Sequence, residues 1–336
     1  MASRAIFGRL LIAASTLLCI GAADPSFVPV FKEDFPDAFV LPHGSEFIAY
    51  ATNNGPNVPI AVSRDLVHWS FTANSAGQKL DAMPRLGSWA KPGFTWAPEV
   101  LALGIKYLLY YTASDSRKNS QCIGVAEAAD PHGPFVDNRS DPIVCQTDLG
   151  GSIDADPFQD TDGKLYLYFK NDGNRVGKHT AIWAQPLAPD GLSVAGQAVE
   201  LIHDDKAWEQ RLIEAPTMVR TPTGYQLLFS AAYFGWNDDQ DLSPYGMGYA
   251  DCSGPLGPCK KSADNPILHS FNERGAGCLS GPGHQSIFRV GARTLMSFHA
   301  WAANSGCRKA DDKRYLYIAP IFWKDGRPQI APSLRP

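Results

Sequence analysis

The feature that most constrains this chain is a short unit of two strands joined by a tight turn, which recurs along the sequence. In residues 151–169, Asp154 begins a short apolar strand, and the segment Asp160-Thr-Asp-Gly163 follows it. Residues 164–169 then alternate aliphatic and aromatic side chains. An Asp-Gly turn between two such segments is typical of a β-hairpin with one buried face. The sequence therefore predicts a hairpin here.

Four further segments repeat this unit. The residues that open the five units are Asp37, Trp96, Asp154, Glu214 and His284. By subtraction of their numbers, they lie 59, 58, 60 and 70 residues apart. A repeat of this length, made of strands and turns, indicates a radial or solenoid architecture. Four-stranded blades around a central axis suit an all-β repeat of this size. We therefore predict an all-β fold, a five-bladed β-propeller with four-stranded antiparallel blades around a central channel.

The predicted propeller brings the five opening residues together. The first strand of each blade lines the central channel, so equivalent repeat positions converge there. Four of the five residues are Asp37, Asp154, Glu214 and His284, which carry ionisable side chains. Such side chains pack poorly but are suited to chemistry. We therefore expect the functional site at the channel.

Residues 1–23 have the composition of a secretory signal peptide. Arg4 and Arg9 precede an apolar run over residues 10–20, and small residues follow it. The apolar run is too short to span a bilayer comfortably. We expect cleavage after Ala23, a secreted, extracellular protein without membrane contact, and a single propeller domain over residues 24–336.

The charge balance disfavours nucleic acid as a partner. Without Arg4 and Arg9, 30 − 2 = 28 basic residues face 34 acidic ones, a net charge of about −6. No basic stripe occurs along the chain. Nucleic-acid-binding surfaces need such a cluster of Lys and Arg.

Six cysteines follow the predicted signal peptide. An even number of cysteines in an exported chain indicates disulfide bonds. Six cysteines allow 15 pairings. Proximity in the sequence favours three of them, Cys122–Cys145, Cys252–Cys259 and Cys278–Cys307. Zinc binding is disfavoured because no Cys-x-x-Cys pair is present.

Five motifs, in order and at the spacing of the blades, resemble those of glycoside hydrolase family 43. The matching segments are Phe35-Pro-Asp37-Ala-Phe-Val40, Trp96-Ala-Pro-Glu-Val100, Ile153-Asp-Ala-Asp-Pro-Phe158, Glu214-Ala-Pro216 and Gly281-Pro-Gly-His284. Each motif is weak alone, but together they cover essentially the whole chain after residue 23. The resemblance implies a five-bladed propeller that acts on arabinose- and xylose-containing glycans.

The resemblance also implies roles for three carboxylates. Asp37 is expected to be the general base that activates water, Glu214 the general acid, and Asp154 the residue that orients the acid and tunes its pKa. The family inverts configuration, which implies a gap of about 6.5–9.5 Å between base and acid. The family motif usually has Pro after the base, where this chain has Ala38. The change leaves the carboxylate in place.

Each of these assignments has a competitor nearby in the sequence. Asp24-Pro-Ser-Phe27 mimics the base motif but lacks the hairpin that follows Asp37. Asp156 is an alternative to Asp154, and Glu209 is an alternative to Glu214. The repeat-equivalent position favours Asp37, Asp154 and Glu214.

Further residues are candidates for binding. Trp96 is either a platform for a sugar ring or part of the core. Phe234 and Trp236 lie in a loop, where exposed aromatic side chains are good binding candidates. Arg314 is either a contact to substrate or to the catalytic acid, or a surface charge, which is the default interpretation.

No cofactor is expected to be required. His284 is either a hydrogen-bonded structural residue or, as in relatives with this histidine, a ligand to Ca²⁺ or another hydrated ion in the channel. We leave the two interpretations open.

Together these features predict an enzyme that releases terminal α-L-arabinofuranosyl residues from arabinan or arabinose-decorated glycans, with inversion, and is a monomer. The alternatives within the family are endo-1,5-α-L-arabinanase and β-xylosidase. A non-catalytic glycan-binding propeller is an alternative of a different class.

Overall fold

The computed structural model describes residues 26–236, 241–273, 277–332 and 334. The predicted signal peptide lies outside these residues. Strands and turns dominate, because short runs of apolar and aromatic residues with period two alternate with turns rich in Gly, Asp and Pro. The strands form five antiparallel blades around a central axis, which confirms the predicted five-bladed β-propeller.

The blades follow one another along the chain. Blade one contains β1 (Phe39–His43), β2 (Glu46–Tyr50), β3 (Ile60–Ser63) and β4 (Ser70–Phe71). Blade two contains β5 (Ala90–Leu103), β6 (Lys106–Asp115) and β7 (Ser120–Ala128). Blade three contains β8 (Ser152–Gln159), β9 (Leu165–Asn171), β10 (Ala181–Pro186) and β11 (Val199–His203). Blade four contains β12 (Ile213–Thr221), β13 (Gly224–Ala231), β14 (Gly246–Cys252), β15 (Cys259–Lys261) and β16 (Leu268–His269). A separate hairpin of β17 (Phe271–Glu273) and β18 (Gly277–Leu279) precedes blade five, which contains β19 (Gly283–Val290), β20 (Arg293–Ala303), β21 (Lys309–Lys324) and β22 (Arg327–Ile330).

Two blades depart from the predicted four strands. In blade two the chain beyond β7 makes only isolated bridges, Glu127 with Val136 and Ile123 with Val144, where a fourth strand would lie. In blade four β14 pairs with both β15 and β16. The described helical segments are three short 3₁₀ turns, Thr147–Leu149, Gly173–Val176 and Ala207–Glu209. Among the described residues, no helix has the length and apolarity that a membrane span requires.

The segment before β1 closes the ring by packing on blade five. Phe31 forms a bridge with Leu316 of β21, and the backbone N–H of Phe35 donates to the carbonyl of Arg314. The rings of Phe31 and Phe35 meet edge to face in an apolar cluster that joins blades one and five. Buried aromatic rings such as these bring large apolar areas into the contact between adjacent blades.

All three disulfide bonds predicted from neighbourhood are present: Cys122–Cys145, Cys252–Cys259 and Cys278–Cys307. Each closes a short loop within a blade or between the β17–β18 hairpin and blade five. Such cross-links stabilise mainly by restricting the unfolded chain.

The first strands carry one residue each in the left-handed region, at equivalent places in the five blades. These residues are Asp37, Ala97, Asp154, Ala215 and His284. The prediction that Trp96 and Glu214 are equivalent to the other three is therefore wrong by one residue. Trp96 pairs with Thr112, and Glu214 pairs with Ser230. The equivalent pair in blade three is Ile153 with Lys170, so Trp96 and Glu214 correspond to Ile153, the residue before Asp154. The backbone kink at this point, with its β-bulge, lets neighbouring side chains of blades two and four reach the axis.

A side chain of each preceding blade supports this kink. The backbone N–H of Ala97 in blade two donates to Thr52 Oγ1 (2.9 Å), and that of Asp154 in blade three donates to Thr112 Oγ1 (3.2 Å). The N–H of His284 in blade five donates to Ser230 Oγ (2.8 Å), and that of Asp37 in blade one donates to His299 Nδ1 (3.1 Å). These four acceptor side chains come from equivalent places in their blades, and we call this place the inter-blade acceptor position. The residue at the inter-blade acceptor position of blade three is Lys170. These bonds tie each inner strand to the neighbouring blade, because a buried N–H needs a partner.

Candidate active site

A cavity of about 520 Å³ opens at one end of the channel and is lined from all five blades. It brings together the three predicted carboxylates Asp37, Asp154 and Glu214. Predicted binding residues Trp96, Phe234, His284 and Arg314 line the same cavity. The remaining wall residues are Thr52, Ile153, Lys170, Asp172, Asn174, Arg175, Leu212, Tyr233 and Tyr245.

Asp37 is held by cationic and donor groups. Its Oδ1 lies 3.2 Å from Arg314 Nη1 and 3.3 Å from His284 Nδ1, and its Oδ2 accepts from Thr52 Oγ1 at 2.5 Å. His299 Nδ1 is 3.2 Å from Oδ1. Burial would raise the pKa of Asp37, but the Arg314 charge, and after it His284, lower it well below its usual range. These contacts favour the ionised form of Asp37.

Glu214 accepts hydrogen bonds on both carboxylate oxygens. Tyr245 donates its hydroxyl to Oε1 at 2.8 Å, and Lys170 Nζ lies 3.1 Å from Oε2. Burial, and then the charge of Glu214, raise the pKa of Tyr245 well above its usual value, so this phenol stays a donor. Glu214 is thus fixed from two sides while its side chain faces the cavity.

Asp154 connects the first strands of blades three and four. Its Oδ2 accepts from the backbone N–H of Ala215 at 3.0 Å, next to Glu214. Burial raises the pKa of Asp154 to about 6, with Glu214 contributing in the same direction and His284 and Lys170 opposing it. Asp154 therefore sets both the backbone and the charge beside Glu214.

The two carboxylate competitors lie outside the cavity lining. Asp156 accepts from the N–H of Met218 at 2.8 Å and is hydrogen-bonded to Glu99 in the channel wall. Glu209 is fully buried and accepts from Lys261 Nζ at 2.6 Å. Both are engaged in holding the fold. The third competitor, Asp24, lies outside the described residues.

The buried pair of Glu99 and Asp156 makes stability depend on pH. Burial raises the pKa of Asp156 to about 7, and burial together with the Asp156 charge raises the pKa of Glu99 well above its usual range. A carboxyl group with a raised folded-state pKa stabilises the fold fully below its unfolded pKa and loses that contribution as pH rises through the folded pKa.

We expect the melting temperature to fall by at least about 3 °C between about pH 5 and about pH 8. In Glu99→Gln the fall is smaller, because a neutral amide replaces one of the two acids. Scanning calorimetry across this range measures it. A Glu99→Gln protein whose melting temperature falls as steeply as that of the wild type contradicts the assignment to this pair.

Arg314 is not a surface charge, and its carboxylate partner is Asp37 instead of Glu214. Its side chain is 17% exposed and extends from β21 into the cavity. The guanidinium lies 5.2 Å from the centre of the Phe234 ring and 6.0 Å from that of Trp301. Pairing with Asp37 and stacking on aromatic rings draw it inward.

The loop aromatics divide into exposed and buried side chains. Phe234 is 38% exposed at the cavity rim, beside Tyr233 at 46%. Trp236 is 5% exposed and is not among the residues that line the cavity, so the expectation of an exposed binding side chain is wrong for Trp236. The large apolar indole is more stable packed inside. Trp96 is half-buried in the cavity wall, where one face is available to a sugar.

His284 faces Asp37 from the channel side of the cavity. Among the described residues there is no group of three or more His, Cys, Asp or Glu side chains arranged to hold a metal. A hydrated ion held by one imidazole needs no such group. The ion at His284 therefore stays a prediction.

Four polar residues that contact Asp37 or Glu214 were not identified from the sequence: Thr52, Lys170, Tyr245 and His299. His299 is fully buried, and burial followed by the Arg314 charge lowers its pKa to about 4, so it is neutral. Its ring stacks on Tyr245 with an interplanar angle of 7°. The signal for three of the four was available, because Thr52, Lys170 and His299 share the inter-blade acceptor position of the repeat.

Comparisons with known proteins identify the family of the chain. Residues 28–328 match the sequence model described as glycosyl hydrolases family 43. The chain belongs to this family. Family 43 also supplies a similar solved structure, that of a thermostable family-43 glycoside hydrolase. It has a TM-score of 0.77 and 26% identity, with 93% of this chain and 98% of that chain covered.

Two relatives of this family 43 chain have different names. It is 29% identical over 250 residues to the β-D-galactofuranosidase xynD of Aspergillus niger, covering 70% of this chain and 64% of that protein. It is 24% identical over 340 residues to the extracellular exo-α-(1→5)-L-arabinofuranosidase ArbA of Cellvibrio japonicus, covering 95% and 91%. The chain thus spans slightly under two thirds of the first and most of the second. The fold and the family are therefore those of glycosyl hydrolases family 43.

Proposed function

We propose that this protein is a secreted, inverting glycoside hydrolase that releases terminal α-L-arabinofuranosyl residues from arabinan or arabinose-decorated plant cell-wall glycans. The observation that carries the proposal is a pair of carboxyl groups that face one cavity from different surroundings. Asp37 lies against the Arg314 guanidinium and the His284 ring. Glu214 lies between the Tyr245 hydroxyl and the Lys170 ammonium, with two further carboxyl groups, Asp154 and Asp172, nearby. Unequal surroundings of this kind let one carboxyl group serve as the base and the other as the acid.

The reaction needs one proton removed and one supplied. Asp37 takes a proton from a water molecule while the water oxygen forms a bond to the anomeric carbon. The bond from that carbon to the leaving oxygen breaks, and the Glu214 proton passes to that oxygen. Attack from the face opposite the leaving group inverts the configuration. Asp37 then releases its proton to solvent, and Glu214 takes one up. Arg314 and Thr52 hold the Asp37 carboxylate in one orientation throughout.

The remaining cavity residues suit a sugar. Trp96 and Phe234 offer aromatic faces to the C–H groups of a ring, and Asn174 and Arg175 offer polar groups at the rim. A cavity of this volume with a few directed polar groups is typical of a small-ligand site. If an ion is held at His284, it adds positive charge behind Asp37. A monomer without nucleic-acid or membrane partners completes the proposal.

The arabinofuranosyl assignment is supported by the similarity to ArbA over nearly the whole of both chains. A second candidate is a terminal β-D-galactofuranosyl residue, favoured by the similarity to the Aspergillus niger galactofuranosidase. The two sugars share the configuration of the furanose ring and differ in the exocyclic chain. Further relatives are named as a β-xylosidase and an endo-arabinanase, which are the remaining alternatives.

A substrate panel tests the proposal. We expect the purified protein to release arabinose from 4-nitrophenyl α-L-arabinofuranoside, arabino-oligosaccharides and branched arabinan, with the β-anomer as the first product by NMR. The 4-nitrophenyl β-D-galactofuranoside, xylo-oligosaccharides and linear arabinan are tested in parallel, with product sizes by chromatography. Xylose release or internal cleavage contradicts the arabinofuranosidase proposal. Binding without hydrolysis of any member supports the non-catalytic alternative.

A further inference from the structure

Lys170 is a residue whose type does not fit its place in the repeat. It occupies the inter-blade acceptor position, where Thr52, Thr112, Ser230 and His299 each accept a backbone N–H. A lysine ammonium is a donor only and cannot accept that bond. In blade three the carboxylate of Asp154 accepts from the next blade instead. The lysine therefore displaces a structural contact.

The lysine side chain is also costly to bury. It is 1% exposed, and burying an ammonium is unfavourable unless charged partners compensate. Its partners are Glu214 Oε2 at 3.1 Å and, farther away, Asp172 Oδ1 at 3.9 Å. A residue that breaks the pattern of the repeat at this cost, and contacts the proposed acid, points to a role in the reaction.

Glu214 has to be protonated to act as an acid, yet both of its oxygens face donors. Tyr245 faces Oε1 and Lys170 faces Oε2. This arrangement stabilises the ionised carboxylate. A proton on Oε2 would face the ammonium, so Lys170 has to withdraw for that oxygen to carry the proton. Tyr245 is restrained by its stacking on His299, whereas Lys170 has a second carboxylate within reach.

We propose that Lys170 controls the charge of the acid. Its ammonium contacts Glu214 Oε2 while that group is a carboxylate, and it moves towards Asp172 when Glu214 takes up the proton that it later gives to the leaving oxygen. The inference rests on the proposed function of Glu214. Lys170 is a positioning residue in this scheme because it acts through Glu214.

Several other charged or titratable groups face the same space. They are Asp154 from β8, Asp172 after β9, Tyr245 before β14, His284 from β19, Asp37 before β1, Arg175 from the turn after β9 and Arg314 from β21. Burial raises the pKa of Asp172 while Lys170 and Arg175 lower it, so Lys170 and Asp172 are already coupled. Of these groups, Lys170 alone is a cation in hydrogen-bond contact with Glu214 among the described residues.

The test is the pH dependence of kcat/KM on the best substrate of the panel. The alkaline limb of this profile reports loss of the proton from the acid in the free enzyme. In Lys170→Met we expect this limb to move up by about one pH unit, because the nearby positive charge is gone. In Asp172→Asn we expect it to move down, since Lys170 then remains on Glu214. In the variant that carries both substitutions, replacing Asp172 moves the alkaline limb much less than it does when Lys170 is present.

Lys164→Met is the matched control, because Lys164 is an exposed residue of the same hairpin and pairs with Asp162. It leaves the profile unchanged. An active wild type whose alkaline limb stays in place in Lys170→Met, or in Asp172→Asn if the first variant does not fold, overturns the role of Lys170. A wild type that hydrolyses no member of the panel overturns the proposed function instead.

Discussion

Asp37→Asn is expected to reduce kcat/KM by about 10³-fold on every substrate that the wild type hydrolyses. General acid–base groups typically contribute 10²- to 10⁴-fold. The amide has nearly the shape of the carboxylate, but it cannot take a proton from water. Because activation of water is needed whatever group departs, the loss is the same with a nitrophenyl and with a sugar leaving group. Steady-state kinetics on one aryl and one oligosaccharide substrate measure it.

The pH profile gives a second observable for the same residue. The Arg314 guanidinium and His284 lower the pKa of Asp37 well below its usual range, against the effect of burial. A base works in its ionised form, so protonation of Asp37 does not reduce wild-type kcat/KM as pH falls through the ordinary range of a carboxyl group. Asp24→Asn, which changes the similar sequence near the start of the chain, is the control and retains full activity. An Asp37→Asn protein within tenfold of the wild type would rule out Asp37 as the base.

The repeat predicted most of the fold because its signal is local. Turn residues and alternating side chains mark each hairpin, and five copies with near-constant spacing require a closed ring. The same argument placed Asp37, Asp154 and His284 correctly at the axis. It assigned Trp96 and Glu214 to the wrong register, because the left-handed position is occupied in blades two and four by Ala97 and Ala215, whose residue type does not mark it.

The partners of the carboxylates were harder to predict. Arg314 and His299 lie more than 250 residues from Asp37, and their contact with it exists only once blade five closes on blade one. An arginine in isolation is most often a surface residue, so the sequence leaves a surface charge as the default interpretation of Arg314 beside a contact to substrate or to the catalytic acid. Trp236 was assigned to the surface from its loop position, whereas the size of its apolar ring favours burial. Pairwise contacts across blades are set by closure of the fold.

Closure of the ring also explains why the five junctions between blades contribute differently to the site. Four junctions between blades use a hydroxyl or an imidazole as acceptor, and these fix the backbone. The junction between blades three and four uses Asp154, which leaves Lys170 available for Glu214. The junction between blades five and one uses His299, whose ring also contacts Asp37 and Tyr245. The asymmetry is therefore concentrated at the two junctions that position the acid and the base.

Glu214→Gln is expected to give a loss that depends on the leaving group. Cleavage of an oligosaccharide expels a sugar alkoxide, which is a poor leaving group unless it is protonated. Without the Glu214 proton, kcat/KM on the oligosaccharide is therefore expected to fall by about 10³-fold. Nitrophenolate departs readily without a proton, so hydrolysis of the aryl arabinofuranoside falls far less. The ratio of the two losses, from parallel steady-state measurements, is the decisive quantity.

The matched control is Glu209→Gln, five residues earlier in the chain. Glu209 is buried against Lys261 and accepts from the backbone N–H groups of Asp205 and Lys206. Its replacement leaves Lys261 with one fewer buried partner and lowers the melting temperature, as loss of a buried ion pair does. The folded fraction of that variant then cleaves both substrates at the wild-type ratio. If Glu209→Gln instead shows the leaving-group dependence and Glu214→Gln does not, the proton donor is Glu209, and the assignment built on the cavity fails.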